Sequence, residues 1–232
     1  MKKVAILQSN YIPWKGYFDI INMVDEFILY DDMQYTRRDW RNRNKIKTPK
    51  GTQWLTIPVD VKGKYHQTIK ETKVSDRSWS KKHWETIKQF YAKSKYFQDY
   101  KEFFEDLYLN CNEESLSKIN YKFITAINHI LGIDTKIKWS SDFELVEGKT
   151  ERLLGICKDC SATEYISGPA AQGYLDETMY QQVNIKVTWM NYSDYSEYSQ
   201  LYGAFEHAVT ILDLIFNEGP GAKKFMKSFG DI

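Results

Sequence analysis

The chain has 232 residues, of which 42% are apolar and 27% charged, which is enough for one substantial core and excludes a disordered chain. Its formal net charge of +1 provides no overall field for nucleic acid or an anionic membrane surface. Apolar runs such as Val4–Leu7 are strand-sized, the opening MKKVAILQSN lacks a secretory signal's apolar length and cleavage site, and the cysteines (Cys111, Cys157 and Cys160) are sparse and odd in number, so a cytoplasmic location is expected.

Val4-Ala5-Ile6-Leu7 is a continuous apolar run, as in a strand covered on both faces of a parallel sheet. After a polar turn with Pro13, residues Tyr17, Ile20, Ile21 and Val24 recur at helical spacing, and Phe27-Ile28-Leu29-Tyr30 forms a second strand ending in Asp31-Asp32. Strand, helix and strand in so short a span make a βαβ unit. Thr52–Val61 reads as an edge strand because of Pro58, with Thr68–Val74 as its expected hairpin partner beyond a turn at Lys62–Gln67. Asp76 or Ser78 is placed to cap a helix running to about Ala92, and further helices are expected over Phe97–Leu109 and Glu113–Leu131, the latter stopped by Gly132. Strands are then expected at Thr135–Trp139, Glu164–Ser167 and Ile185–Met190, alternating with helices at Thr150–Asp159, Ala170–Tyr180 and Phe205–Asn217. The pattern predicts a Rossmann-like α/β fold with a mostly parallel sheet, its core formed by residues 1–75 and 132–232 around a helical insertion at 76–131.

Ligands of open parallel sheets bind beyond the carboxyl ends of the strands, which singles out the loop Gln8 to Phe18. Gln8 supplies an amide there, Tyr11 and Trp14 supply stacking faces, and Gly16 leaves room for approach to a helix N-terminus. Asp31-Asp32 follows the second strand, and in extended backbone only one of the pair faces a given side. The densest charge feature comes next: Arg37, Arg38, Arg41, Arg43, Lys45 and Lys47, with Asn42 and Asn44 as neutral donors and Trp40 and Tyr35 as further stacking groups. A local patch of this kind suits a diphosphate or phosphopantetheine better than a nucleic acid, because no second basic stripe extends it. His66, His83 and His207 are imidazoles suited to acid–base work, and His129 is read as structural. Cys157-x-x-Cys160 has metal spacing without a second pair, so no structural metal is expected. Asp213 lies on an otherwise apolar helix and needs a partner, either an arginine or a ligand group.

Taken together, these residues resemble the WbqC-like family of bacterial O-antigen and capsule loci. The resemblance runs through Gln8-x-x-Tyr11-x-Pro13-Trp14-x-Gly16-Tyr17-Phe18, Tyr30-Asp31-Asp32-x-Gln34-Tyr35 and Trp40-Arg41-Asn42-Arg43-Asn44-x-Ile46-Lys47. It continues through Trp54-Leu55-Thr56-x-Pro58-Val59, Trp79-x-x-Lys82-His83, Tyr165-x-Ser167-Gly168 and Ile211-Leu212-Asp213-Leu214-x-Phe216-Asn217-x-Gly219-Pro220, and departs from the family at His207-Ala208, where Pro-Asn is expected. It implies a tailoring step in surface-polysaccharide biosynthesis: transfer of an acyl or aminoacyl group, from acyl-CoA, an acyl carrier protein or an aminoacyl donor, to a nucleotide-linked amino sugar. The alternatives are a metal-dependent glycosyltransferase and a non-catalytic sugar-nucleotide-binding partner. On this resemblance Gln8, Tyr11, Trp14, Gln34, Tyr35, Arg41, Asn42, Arg43, Lys45 and Ser167 form the substrate-binding set, while Asp32, His83 and Asp213 are the catalytic candidates.

Overall fold

The computed structural model describes residues 1–230. Five parallel strands form the sheet: β1 (Lys3–Leu7), β2 (Glu26–Leu29), β5 (Lys136–Trp139), β6 (Glu164–Ser167) and β7 (Lys186–Trp189), in the order β5-β2-β1-β6-β7. Alternation along the central strands covers both faces. Ala5, Phe27, Leu29 and Ile166 enter one core with helices α1 (Lys15–Asn22) and α7 (Ile211–Glu218). Val4, Ile6, Ile28 and Tyr165 enter the other with α5 (Lys149–Asp159) and α6 (Glu177–Gln181). The sheet is therefore doubly wound.

Helices α2 (Trp79–Tyr91), α3 (Phe97–Leu109) and α4 (Leu116–Leu131) follow the expected pattern, and α4 ends at Gly132, whose φ of 62° only a residue without a Cβ adopts freely. Their large side chains, among them Trp84, Phe104 and Phe123, join the first core rather than making one of their own. No described helix is long and apolar enough to cross a membrane.

Three expectations need correction. The hairpin partner of β4 (Gly51–Thr56) is β3 (Arg43–Thr48), not Thr68–Val74, which contributes only isolated bridges such as Val59 to Val74. The second half of the cationic run, from Arg43, is thus a strand with Asn44, Ile46 and Thr48 facing inward. The helix expected over 170–180 is a 3₁₀ turn (Pro169–Gly173) followed by short α6, which begins after Asp176 caps the Thr178 N–H. The last helix begins at Ile211, capped by Thr210, so residues 190–210 form a strap without regular structure, and His207 lies in the strap rather than on the helix.

Candidate functional site

From β1 the chain steps through α1 to β2, on one face of the sheet, whereas from β6 it steps through α6 to β7, on the other. The β1–β6 boundary is therefore a topological switch point, where doubly wound sheets open a crevice beyond the strand ends. A cavity of about 310 Å³ lies there, bounded by Gln8 and Asn10 after β1, Tyr30 and Met33 after β2, and Ser167 and Gly168 at the end of β6.

Among the described residues lining this crevice Arg41 is the one cation, and Arg152 touches its rim through Met33 Sδ at 3.9 Å. The Arg41 guanidinium donates to Gln8 Oε1 and Asn10 Oδ1 and lies 3.7 Å from Asp39 Oδ2. Its side chain is only 15% exposed; burial pushes its pKa down, opposed by Asp39, Tyr17 and Asp31. The Asn120 amide fixes the Arg41 backbone by donating to its carbonyl at 2.9 Å, and donates to Ser9 Oγ at 2.9 Å. Ser9 N–H in turn donates to Asp31 Oδ1 at 2.8 Å, and Ser117 donates to the other carboxyl oxygen. Burial pushes the Asp31 carboxyl up, with these donations and Arg41 opposing it. Asp31, Ser9 and Asn120 together make a buried polar floor beneath the arginine.

A larger cavity, of about 500 Å³, adjoins the crevice and shares Asn10 and Trp40 with it. Its walls are Trp14 and the strap residues Tyr192, Tyr195 and His207. The Trp14 ring is held edge-on by Tyr192 (5.3 Å between centroids) and Tyr195 (5.5 Å). It lies so close over Gly16 that a Cβ there would stand 2.4 Å from it, so the expected open approach to the α1 N-terminus is filled by indole. Two residues at or next to this cavity have left-handed backbone, lining residue Asp194 (φ 58°) and buried Ile12 (φ 37°), which precedes lining residue Pro13; the conformation is costly for a β-branched residue and found where a site is held in shape by its surroundings. Asn44 stabilises the second of them by donating to the carbonyls of Ile12 (2.8 Å) and Tyr11 (3.2 Å).

The strap is fastened by polar contacts. The buried Lys15 amine donates to Ser196 O at 2.8 Å and faces the rings of Tyr195 and Tyr198 at 5.0 and 5.2 Å; burial lowers its pKa to about 8. Lys47 donates to Ala204 O, Tyr195 donates to buried Asp19, and Tyr198 and Gln200 donate to Asp213 at 2.8 and 2.9 Å.

The sequence-derived residues thus divide. Gln8, Arg41 and Ser167 meet in the crevice, and Trp14 lines the aromatic cavity. Tyr11 is fully buried; its hydroxyl bonds to His83 Nδ1 and Tyr108 Oη, each at 2.9 Å, so it offers no stacking face. His83 is buried too, its Nε2 is 3.2 Å from Thr56 O, and burial lowers its pKa to about 4; with both nitrogens occupied it is a poor proton acceptor for a substrate. Asp213 is fully enclosed, meeting the hydroxyls of Tyr91 and Tyr198 instead of an arginine or a ligand.

Asp32 turns towards the β5 edge, accepting the Ser140 hydroxyl at 2.6 Å with Lys70 at 3.9 Å. Gln34 and Tyr35 border a separate surface cavity with Arg37 and Tyr65. Asn42 is spent on Ile57 O at 2.8 Å. Arg43 and Lys45 lie over the Trp54 ring at 4.0 and 5.3 Å on the outer face of the hairpin, so the basic run does not converge on one anion. Cys157 and Cys160 are buried thiols, the latter pushed up to about 12, mainly by burial.

The molecule is therefore a doubly wound α/β protein with a switch-point crevice, one semi-buried arginine and an adjoining aromatic chamber. Residues 8–225 match the model of the WbqC-like protein family, and the chain belongs to that family. It is 51% identical over 227 residues, 98% of both chains, to "Uncharacterized protein Rv1507c" of Mycobacterium tuberculosis. No solved structure matches it.

Proposed function

We propose that the protein binds a nucleotide-linked amino sugar across the crevice and transfers an acyl or aminoacyl group to the sugar amine, in bacterial surface-polysaccharide biosynthesis. The observation that carries this reading is Arg41, a semi-buried guanidinium oriented by two carboxamides at the switch point, where a diphosphate would meet both its charge and the N–H groups of Gln8 and Asn10. Family membership supports the setting. In the transfer, the amine nitrogen attacks the carbonyl carbon of a thioester or ester donor. A C–N bond forms, the C–S or C–O bond breaks, the thiolate or alkoxide departs, and the ammonium proton passes to a base. We assign the base to Asp32, next in the chain to crevice residue Met33, whose carboxylate turns towards the β5 edge in this structure; His83 and Asp213 are enclosed.

A specific observation favours a second reading, binding without turnover: the described residues lining the crevice include no Asp, Glu or His. One pair of measurements separates the two. Calorimetric titration with UDP-, dTDP- and GDP-linked amino sugars should detect binding that Arg41→Ala weakens about 30-fold or more. With acyl-CoA or aminoacyl donors added, Asp32→Asn should keep binding and lose product. Binding with no product from any donor would leave the non-catalytic reading, and absence of binding by any nucleotide sugar would dismiss both.

A further inference from the structure

The two cavities meet at Asn10 and Trp40, and Arg41 is the next residue along the chain. Tyr192 links them as well: its ring lines the aromatic chamber, while a Cβ added to crevice residue Gly168 would lie 3.9 Å from its hydroxyl. A ligand with three parts could therefore lie continuously from one cavity into the other past the arginine.

Resting on the reading above, we infer that the aromatic chamber is the nucleobase subsite: the base lies against Trp14, Trp40 and Tyr192, the diphosphate passes Asn10 to Arg41, and the sugar occupies the switch-point crevice.

The chamber's chemistry selects this occupant. Its volume, about 500 Å³, falls within the range of small-molecule sites. Indole and phenol faces stack on any base, and each such stack is worth enough to matter for affinity. Trp14 is already fixed by two edge-on tyrosines, so little side-chain freedom remains to be lost on binding. Trp40 stands 37% exposed at the shared boundary, an exposure unusual for so large an apolar ring. The same walls carry Asn10, Ser193, Asp194 and His207, whose hydrogen-bonding groups match the polar edge of a base and would be wasted on an acyl chain. The crevice, smaller and bordered by Gln8, Asn10, Arg41 and Ser167, suits the hydroxyl-rich sugar and its phosphate.

The test is calorimetric titration of the full chain with UMP, dTMP and GMP, which carry base and phosphate, and with glucosamine 1-phosphate, which carries sugar and phosphate. At least one nucleoside monophosphate should bind, and Trp14→Leu, at a residue that lines the chamber and not the crevice, should weaken it about tenfold or more while changing glucosamine 1-phosphate less than about twofold. Trp40→Leu, at a more exposed position, should weaken the same nucleotide and keeps the test open if the first variant does not fold. Arg41→Ala should weaken both probes. If glucosamine 1-phosphate binds in an Arg41-dependent way and no nucleotide does, or if nucleotide affinity survives both aromatic substitutions, the base subsite is wrong and the crevice reading stands. If neither probe nor any nucleotide sugar binds, both fail.

Discussion

The crevice around Arg41 and the buried centre around Tyr11, His83 and Tyr108 are built from alternate residues of one short segment. Gln8 and Asn10 turn into the crevice; Ser9 and Tyr11 turn inward, to Asp31 and to His83. The same division recurs at Asp31 and Asp32, and at Arg41 and Asn42. These pairs lie in loops and turns just outside the strands, so a dense run of polar and aromatic residues contributes part to the site and part to the scaffold beneath it. The scaffold half is distinguished by burial, the site half by groups left facing a cavity.

Substitutions that strike one half and spare the other break this comparison or sharpen it. The largest effect is expected at Asp213. Asp213→Ala strands the hydroxyls of Tyr91 and Tyr198 and the Gln200 amide in a dry interior, at a cost of about 3–5 kcal/mol in denaturant unfolding. A loss under about 1 kcal/mol would mean that the strap is not held there.

The second prediction concerns pH. The His83 imidazole sits at about 4 in the fold against about 6.5 unfolded, so the unfolded chain takes up its proton first as pH falls. The neutral histidine's contribution is intact above pH 6.5 and is lost on acidification towards the folded value, amounting to about 3 kcal/mol by about pH 4. Subtracting the stability profile of His83→Gln from that of the wild type isolates it; a flat difference over that window contradicts the burial assigned to His83.

Tyr11→Phe removes the hydroxyl shared by His83 and Tyr108 and should cost about 1–3 kcal/mol while leaving ligand affinity unchanged. A selective loss of affinity would return Tyr11 to the site. The smallest effect is expected at Arg43→Ala, which removes a guanidinium lying over Trp54 on the outer face of the hairpin, at about 0.5–1 kcal/mol, with no change in binding.

The fold was largely legible in the sequence because burial on both sheet faces leaves continuous apolar runs. Phe97–Leu109 and Glu164–Ser167 have the expected ends. The misread elements have identifiable causes. In β3 the inward Asn44, Ile46 and Thr48 alternate with Arg43, Lys45 and Lys47, a period of two hidden by the density of charge. The apolar content of 205–210 resembles a helix, yet those residues belong to a strap whose path is set by contacts with Lys15 and Lys47, groups far away in sequence.

At the site, strand-end positions pointed to Gln8 and Arg41. Which aromatic ring faces a cavity depends on packing, and Tyr11 and Trp14 have the same appearance in sequence but opposite fates. Asn10 and the strap tyrosines carry no such sign, because their places depend on long-range partners, and which of Asp31 and Asp32 turns inward is likewise set by partners such as Ser9 and Ser117. The turn-rich run Asn191-Tyr192-Ser193-Asp194-Tyr195 was the one local signal for the chamber wall.

The central claim is that the switch-point arginine, and not the basic run as a whole, recognises the ligand. It is tested most directly by measuring the dissociation constant of a UDP-linked amino sugar for the wild type, Arg41→Ala and the double variant Arg43→Ala/Lys45→Ala. The account predicts that Arg41→Ala weakens binding about 30-fold or more, equivalent to about 2 kcal/mol for a truncated buried charge, while the double variant stays within about twofold. Equal losses in both variants, or a loss confined to the double variant, would contradict it.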